Sequence, residues 1–222
     1  MLTVREEDYG PLFRDALLRY AGRVGVRIVG SAALGRDAET FGPLVRRIAV
    51  RRPEAVVIDG ILTETTGALI RELRATLGPD VTLAAPDAFN LPEDLREVAG
   101  EAAEGMYVTN YGVPNERLAR KGKQFLQSLA SARGGDPGPD LAASYGAQIA
   151  EILIDAIARS DGTRASVTDE VRQTQIQNGI LGDVAFDAKG DLVEGPITIL
   201  RFTHGAFVVD RVVRVRPPAS SR

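Results

Sequence analysis

The chain has 222 residues, 44% hydrophobic and 26% charged, a balance found in ordinary folded domains and long enough for one or two cores. Its 27 basic and 30 acidic residues leave a formal charge of -3, spread along the length, so no segment offers the dense positive field that nucleic acid requires and no nucleic-acid partner is expected. Cysteine is absent, which removes disulfides, thiolate metal sites and a cysteine nucleophile.

Met1 to Gly10 lead straight into Arg5-Glu6-Glu7-Asp8 without a basic leader, an apolar core or a small-residue cleavage site, so a cytoplasmic location is expected if this start is native. The longest apolar runs fall far short of the roughly 20 residues a membrane-spanning helix needs. From the start, short apolar runs alternate with amphipathic ones, the pattern of βα units around a parallel sheet. A strand is expected over residues 2–5, a helix over 9–24 with Leu12, Phe13, Ala16, Leu17 and Tyr20 at helical spacing, and a strand over 26–29. A helix over 38–51 stopped by Pro53 precedes a buried strand over 55–58. A helix over 66–77 ends at Gly78-Pro79 before a strand over 81–85, and a short helix over 92–99 precedes a strand over 106–109.

The alternation ends there. Long helices are expected over 115–133 and 141–159, separated by a loop rich in glycine and proline. The second carries Ala142, Tyr145, Ile149, Ile152, Leu153 and Ala156 on a broad apolar face. Residues 179–213 read as period-two strands, with Asp187-Ala188-Lys189-Gly190-Asp191 as a hairpin turn.

Four segments carry a family resemblance: Asp8-Tyr9-Gly10; residues 98–109, Val-Ala-Gly-Glu-Ala-Ala-Glu-Gly-Met-Tyr-Val-Thr; Ser144-Tyr145-Gly146-Ala147 opening a helix that ends Asp155-Ala156-Ile157; and residues 182–191, Gly-Asp-Val-Ala-Phe-Asp-Ala-Lys-Gly-Asp. In order and spacing they resemble the type I periplasmic solute-binding proteins of the leucine/isoleucine/valine-binding family, which serve branched-chain amino acid ABC transporters. The resemblance implies an α/β fold with a doubly wound parallel-sheet lobe. Residues 1–111 would be lobe two, 112–202 the returning part of lobe one, and 203–222 the closing strand and tail on lobe two. The amino-terminal half of lobe one would be missing from these 222 residues, and the apolar face of the 141–159 helix would then need a second copy, a partner chain or repacking to cover it.

The resemblance also implies ligand contacts. Asp87 matches the acidic position that takes the ligand ammonium, and Tyr9 an aromatic that closes over the ligand. Ile61 and Leu62 stand where the family commonly has a tyrosine, which leaves a more apolar wall. Thr63 follows them at the start of a helix. Each has a structural alternative: an Asx-turn for Asp87, helix-start packing for Tyr9, and a helix cap with an acidic first turn for Thr63 and Glu64. His204 is the only histidine and is expected in a solvated turn. The Asp187, Lys189 and Asp191 group lacks calcium-loop spacing, and nothing in the sequence brings Asp59 and Glu104 together. With no catalytic motif present, the expected function is non-enzymatic. The chain would be the small-solute (amino acid) binding subunit of an ABC-type uptake system working with a permease, or a remnant of one, needing no cofactor. The alternative is a ligand-sensing regulatory or receptor module of the same fold.

Overall fold

The computed structural model describes residues 3–5, 10–33, 41–135 and 142–216. A seven-stranded sheet has the order β2-β1-β3-β4-β5-β8-β9. Its strands are β1 (Thr3–Arg5), β2 (Ala32–Ala33), β3 (Ala55–Ile58), β4 (Thr82–Ala85), β5 (Tyr107–Tyr111), β8 (Gly195–Thr203) and β9 (Ala206–Val215). The first five run parallel, with Val57 of β3 beside Thr3 on one side and Ala84 on the other. The chain divides into two compact units, the first of residues 1–110 and 199–211, the second of 111–198 and 212–222.

In the first unit the helices follow from local chemistry. α1 (Gly10–Ala21) leads into a 3-10 turn closed by Gly25 in the left-handed conformation. In α2 (Gly42–Val50), proline opens the first turn and Val45 and Ile48 point into the core; the helix stops ahead of Pro53. α3 (Glu64–Leu77) buries Leu69, Ile70 and Leu73 on one face and ends at Gly78. α4 (Pro92–Ala99) opens with proline, glutamate and aspartate, suited to the positive end of the helix dipole, and carries Arg96 in its last turn. Strand residues Val56, Ile58, Leu83, Ala85 and Val108 are all buried in one cluster with these helix residues, Phe89 and Phe202; they occupy alternate strand positions, so they form one buried face of the sheet. Gly67 lets α3 approach α4: a methyl there would stand 2.6 Å from Val98. Arg74 ties the loops beneath, its guanidinium donating to the carbonyls of Gly78, Pro79, Val81, Ala102 and Glu104.

One strand expectation fails. Residues 26–29 are not a strand: Val26 N–H bonds to Ala21 O and the Val29 carbonyl accepts from Arg51, so their backbone is partly engaged elsewhere. The strand forms three residues later, where Ala32 and Ala33 meet Val4 and Arg5 of β1. β-propensity marked the wrong residues because strand pairing is decided by the neighbour, not by the valines themselves.

The second unit holds α5 (Arg120–Arg133), α6 (Ala142–Arg159), α7 (Arg164–Arg172) and a two-stranded ribbon of β6 (Gln175–Gly179) and β7 (Gly182–Ala185). The expected 115–133 helix is a 3-10 turn over Asn115–Arg117 and then α5. α7 was not expected from the apolar pattern; it is local, opened by Thr163, whose hydroxyl accepts from Ser166 N–H. On α6 the packed positions Ser144, Gln148, Ile152 and Ala156 recur every four residues. Gln148 Oε1 accepts from Leu181 N–H in the β6–β7 turn. Ile149, Leu153, Ile154 and Ile157 are exposed. The 187–191 turn is as expected: Asp187 Oδ1 accepts from the N–H groups of Lys189 and Asp191, and Phe186 bridges Leu192.

Candidate functional site

In a parallel sheet of order 2-1-3-4-5 the connections change direction between β1 and β3, and ligands bind outside the carboxyl ends of the strands near that point. Three loops emerge there. The loop after β1 holds Tyr9, which lies outside the described residues. The other two follow β3 and β4, neighbouring strands about 4.8 Å apart.

After β3, Asp59 is buried and its Oδ1 accepts from Gly60 N–H at 2.9 Å. Gly60 has φ 116, a conformation open to glycine and costly for other residues, and it turns the chain out of the sheet. Ile61 then stands 54% exposed, with Leu62 half-buried beside it. Thr63 caps α3: its hydroxyl accepts from Thr66 N–H, and its own N–H donates to Thr66 Oγ1 at 2.8 Å. The Thr66 hydroxyl in turn donates to the Ile61 carbonyl at 3.1 Å, so this buried threonine fixes the 61–63 loop. The sequence does contain the signal, Thr-x-x-Thr from 63 to 66, in place of the usual glutamate or glutamine at the last position.

After β4, Pro86 leads into a 3-10 turn over Asp87–Phe89. Phe89 is fully buried and anchors it. The turn is closed by backbone atoms, with Asn90 N–H bonding to the Asp87 carbonyl at 2.8 Å. No Asx-turn forms. The Asp87 carboxylate is exposed, and no described residue bonds to it. Asp87 and Ile61 are therefore brought to the same edge of the sheet, one supplying charge and the other apolar surface.

Other candidates fall away from this edge. Glu104 precedes β5 and accepts from His204 N–H, so it lies at the amino edge, across the sheet from Asp59. His204 sits in the β8–β9 turn with φ 52, exposed as expected. Among the described residues no cluster of histidine, aspartate and glutamate has the makings of a metal site, and no helix is long and apolar enough to cross a membrane.

The sequence pattern that defines the periplasmic binding proteins matches residues 2–206. Among solved structures, the chain is similar to a leucine-binding protein of Thermotoga maritima, at 22% identity and a TM-score of 0.77 over 96% of this chain and 59% of that one. It is also similar to a branched-chain amino acid transporter substrate-binding protein of Streptococcus pneumoniae in complex with isoleucine, at 19% identity and a TM-score of 0.68 over 97% and 59%. A third is an ABC transporter solute-binding protein of R. palustris in complex with benzoate, at 16% identity and a TM-score of 0.68 over 98% and 59%. Among curated proteins none matches. The 222 residues thus span about 59% of the length of these structures, in keeping with the expectation that part of a first lobe is not encoded in them. The likeness establishes the α/β type I fold, and the match over most of its length means that the chain belongs to the periplasmic binding protein family.

Proposed function

We propose that the first unit supplies one wall of a binding site for a small polar solute, an amino acid in the first instance, in an ABC-type uptake system served by a membrane permease. The role is binding, without catalysis. In this reading residues 1–111 act as the second lobe of a clamshell, 112–202 as the returning part of the first, and 203–222 as the closing strand and tail. Asp87 takes the ligand ammonium, Ile61 and Leu62 form the apolar wall, Thr63 holds that wall in place through its cap, and Tyr9 closes over the ligand.

The observation that carries this reading is the exposed Asp87 carboxylate, hydrogen-bonded to no described residue, at the end of the strand neighbouring the one that leads to the exposed Ile61. A free carboxylate beside apolar surface matches the two ends of an apolar amino acid. A ligand at 100 times its dissociation constant adds about 2.7 kcal/mol to stability, which raises the melting temperature by several degrees. Leucine, isoleucine and valine are expected to produce such a rise in the native chain and not in Asp87→Asn. Benzoate, which has no ammonium, is the contrasting probe. A rise with benzoate that survives Asp87→Asn, with none from the amino acids, would replace the ammonium assignment by a site for carboxylates. No rise with any of these solutes would remove the amino-acid reading for these 222 residues.

A further inference from the structure

Charge is spread evenly along the sequence, but the fold of the first unit sorts it to two ends. β2 and β3 lie two places apart in the sheet, about 10 Å, with β1 between them. The segments that lead into their amino ends, residues 22–31 after α1 and 47–53 at the end of α2, therefore meet at one edge. Arg51 Nη1 donates to the Val29 carbonyl at 2.7 Å and joins them. Together they bring Arg23, Arg27, Arg47, Arg51 and Arg52 to the surface, all exposed. Residues 16–33 and 41–53 contain no aspartate or glutamate, and Glu54, which follows Pro53, offsets one of these charges. At the opposite, carboxyl edge Glu64, Asp87, Glu93 and Asp94 are exposed, and residues 59–70 and 86–95 contain no lysine or arginine.

The basic edge also carries the most open apolar surface. Val50, 84% exposed, and Val24, 73% exposed, are the two most exposed large hydrophobic side chains among the described residues, and Val26 is exposed as well. Val24 stands in a turn held by Gly25 in the left-handed conformation and by Val26 N–H on the Ala21 carbonyl at 2.8 Å. Val50 lies one helical turn beyond Arg47 on α2. Guanidinium groups match phosphate oxygens, and apolar side chains set among them match the boundary between lipid headgroups and acyl chains. A bilayer of anionic lipids presents both, whereas a nucleic acid would engage the arginines and leave the valines in water.

We propose that this edge of the first unit docks on an anionic bilayer surface, with its arginines on lipid phosphates and Val24 and Val50 in the headgroup region. The acidic carboxyl edge is repelled by the same surface and faces away from it. This docking is independent of the solute reading.

The chain contains no tryptophan, so Val50→Trp places a single fluorescent reporter at the basic edge and Leu91→Trp one at the carboxyl edge. Vesicles of phosphatidylcholine with phosphatidylglycerol are expected to sediment the native chain, and vesicles of phosphatidylcholine alone to leave it in solution. An arginine near an anionic membrane surface contributes about fivefold to binding. Arg27→Glu/Arg47→Glu should therefore weaken binding at least about twentyfold, with Arg51 kept because it joins the two segments. Lys123→Glu/Lys189→Glu changes the net charge equally and should have little effect, since charges away from the contact are screened. On the anionic vesicles the emission of Val50→Trp should shift to the blue and that of Leu91→Trp should not. No binding to the anionic vesicles, equal loss from the two double variants, or an unshifted Val50→Trp on bound vesicles overturns the proposal. Duplex DNA that displaces the chain from the vesicles would also overturn it, by assigning the arginines to nucleic acid.

Discussion

The two units bury different things. In the first, a sheet of short apolar strands is packed by helices whose buried positions are almost all aliphatic, and fully buried leucine, isoleucine and phenylalanine side chains form one continuous cluster. In the second, the most apolar helix, α6, turns two polar residues, Ser144 and Gln148, toward its neighbours while four large aliphatic side chains face out. The first unit is built as a self-sufficient core, and the second as a layer whose apolar side is open. The same substitution on each side gives the sharpest contrast. Leu73→Ala, at a fully buried site, is expected to cost about 2 to 5 kcal/mol in urea unfolding. Leu153→Ala, 43% exposed, should cost about 1 kcal/mol or less. Equal costs would break the comparison, because they would mean that the outer face of α6 is buried in solution.

Three glycines extend the comparison at a smaller scale. Gly67 of α3 abuts Val98 and Gly122 of α5 abuts the Ile180 carbonyl, so in each unit one helix depends on a missing side chain for its approach. Alanine at either position is expected to cost about 1 to 3 kcal/mol through overpacking. Gly146 of α6 has nothing within reach of an added methyl, and Gly146→Ala should raise stability by about 0.5 to 1 kcal/mol through the better helix propensity of alanine. A loss at Gly146 would again point to a covered α6 surface. Melting curves of the three variants decide the matter.

The elements that pack against their own neighbours were the ones legible in the sequence. The 92–99 helix and the 55–58 strand fall at their expected residues because proline, glycine and apolar period all agree there. β2 was displaced because a two-residue edge strand exists only through its contact with β1. α7 escaped notice because its signal is a cap, Thr163 with Ser166, and none of its residues is buried. At the candidate site, the exposed carboxylate of Asp87 and the cap at Thr63 follow from proline and threonine chemistry that a sequence displays. The bond from Thr66 to Ile61 does not, since it depends on the path the chain takes after Gly60.

Arginines mark the last difference between the units. Arg74 is held by five carbonyl oxygens and, among the described residues, by no carboxylate, so Arg74→Met should cost about 1 to 3 kcal/mol by leaving those acceptors short of donors, with little dependence on acid or salt. Glu194, in the second unit, is a half-buried acceptor between Arg216 at 2.7 Å and Arg214 at 3.3 Å, and these two guanidinium groups hold its carboxyl below the usual glutamate range. A depressed carboxylate adds stability that is present above the unfolded value of about 4.3 and is lost as the pH falls through the lower folded value. Because both arginine partners are exposed to solvent, this is the smallest of the effects. Melting temperatures of the native chain and Glu194→Gln should therefore coincide in strong acid and separate slightly above about pH 4.3. High salt should close the gap, since it screens the pair around Glu194 and leaves the Arg74 carbonyl cluster untouched.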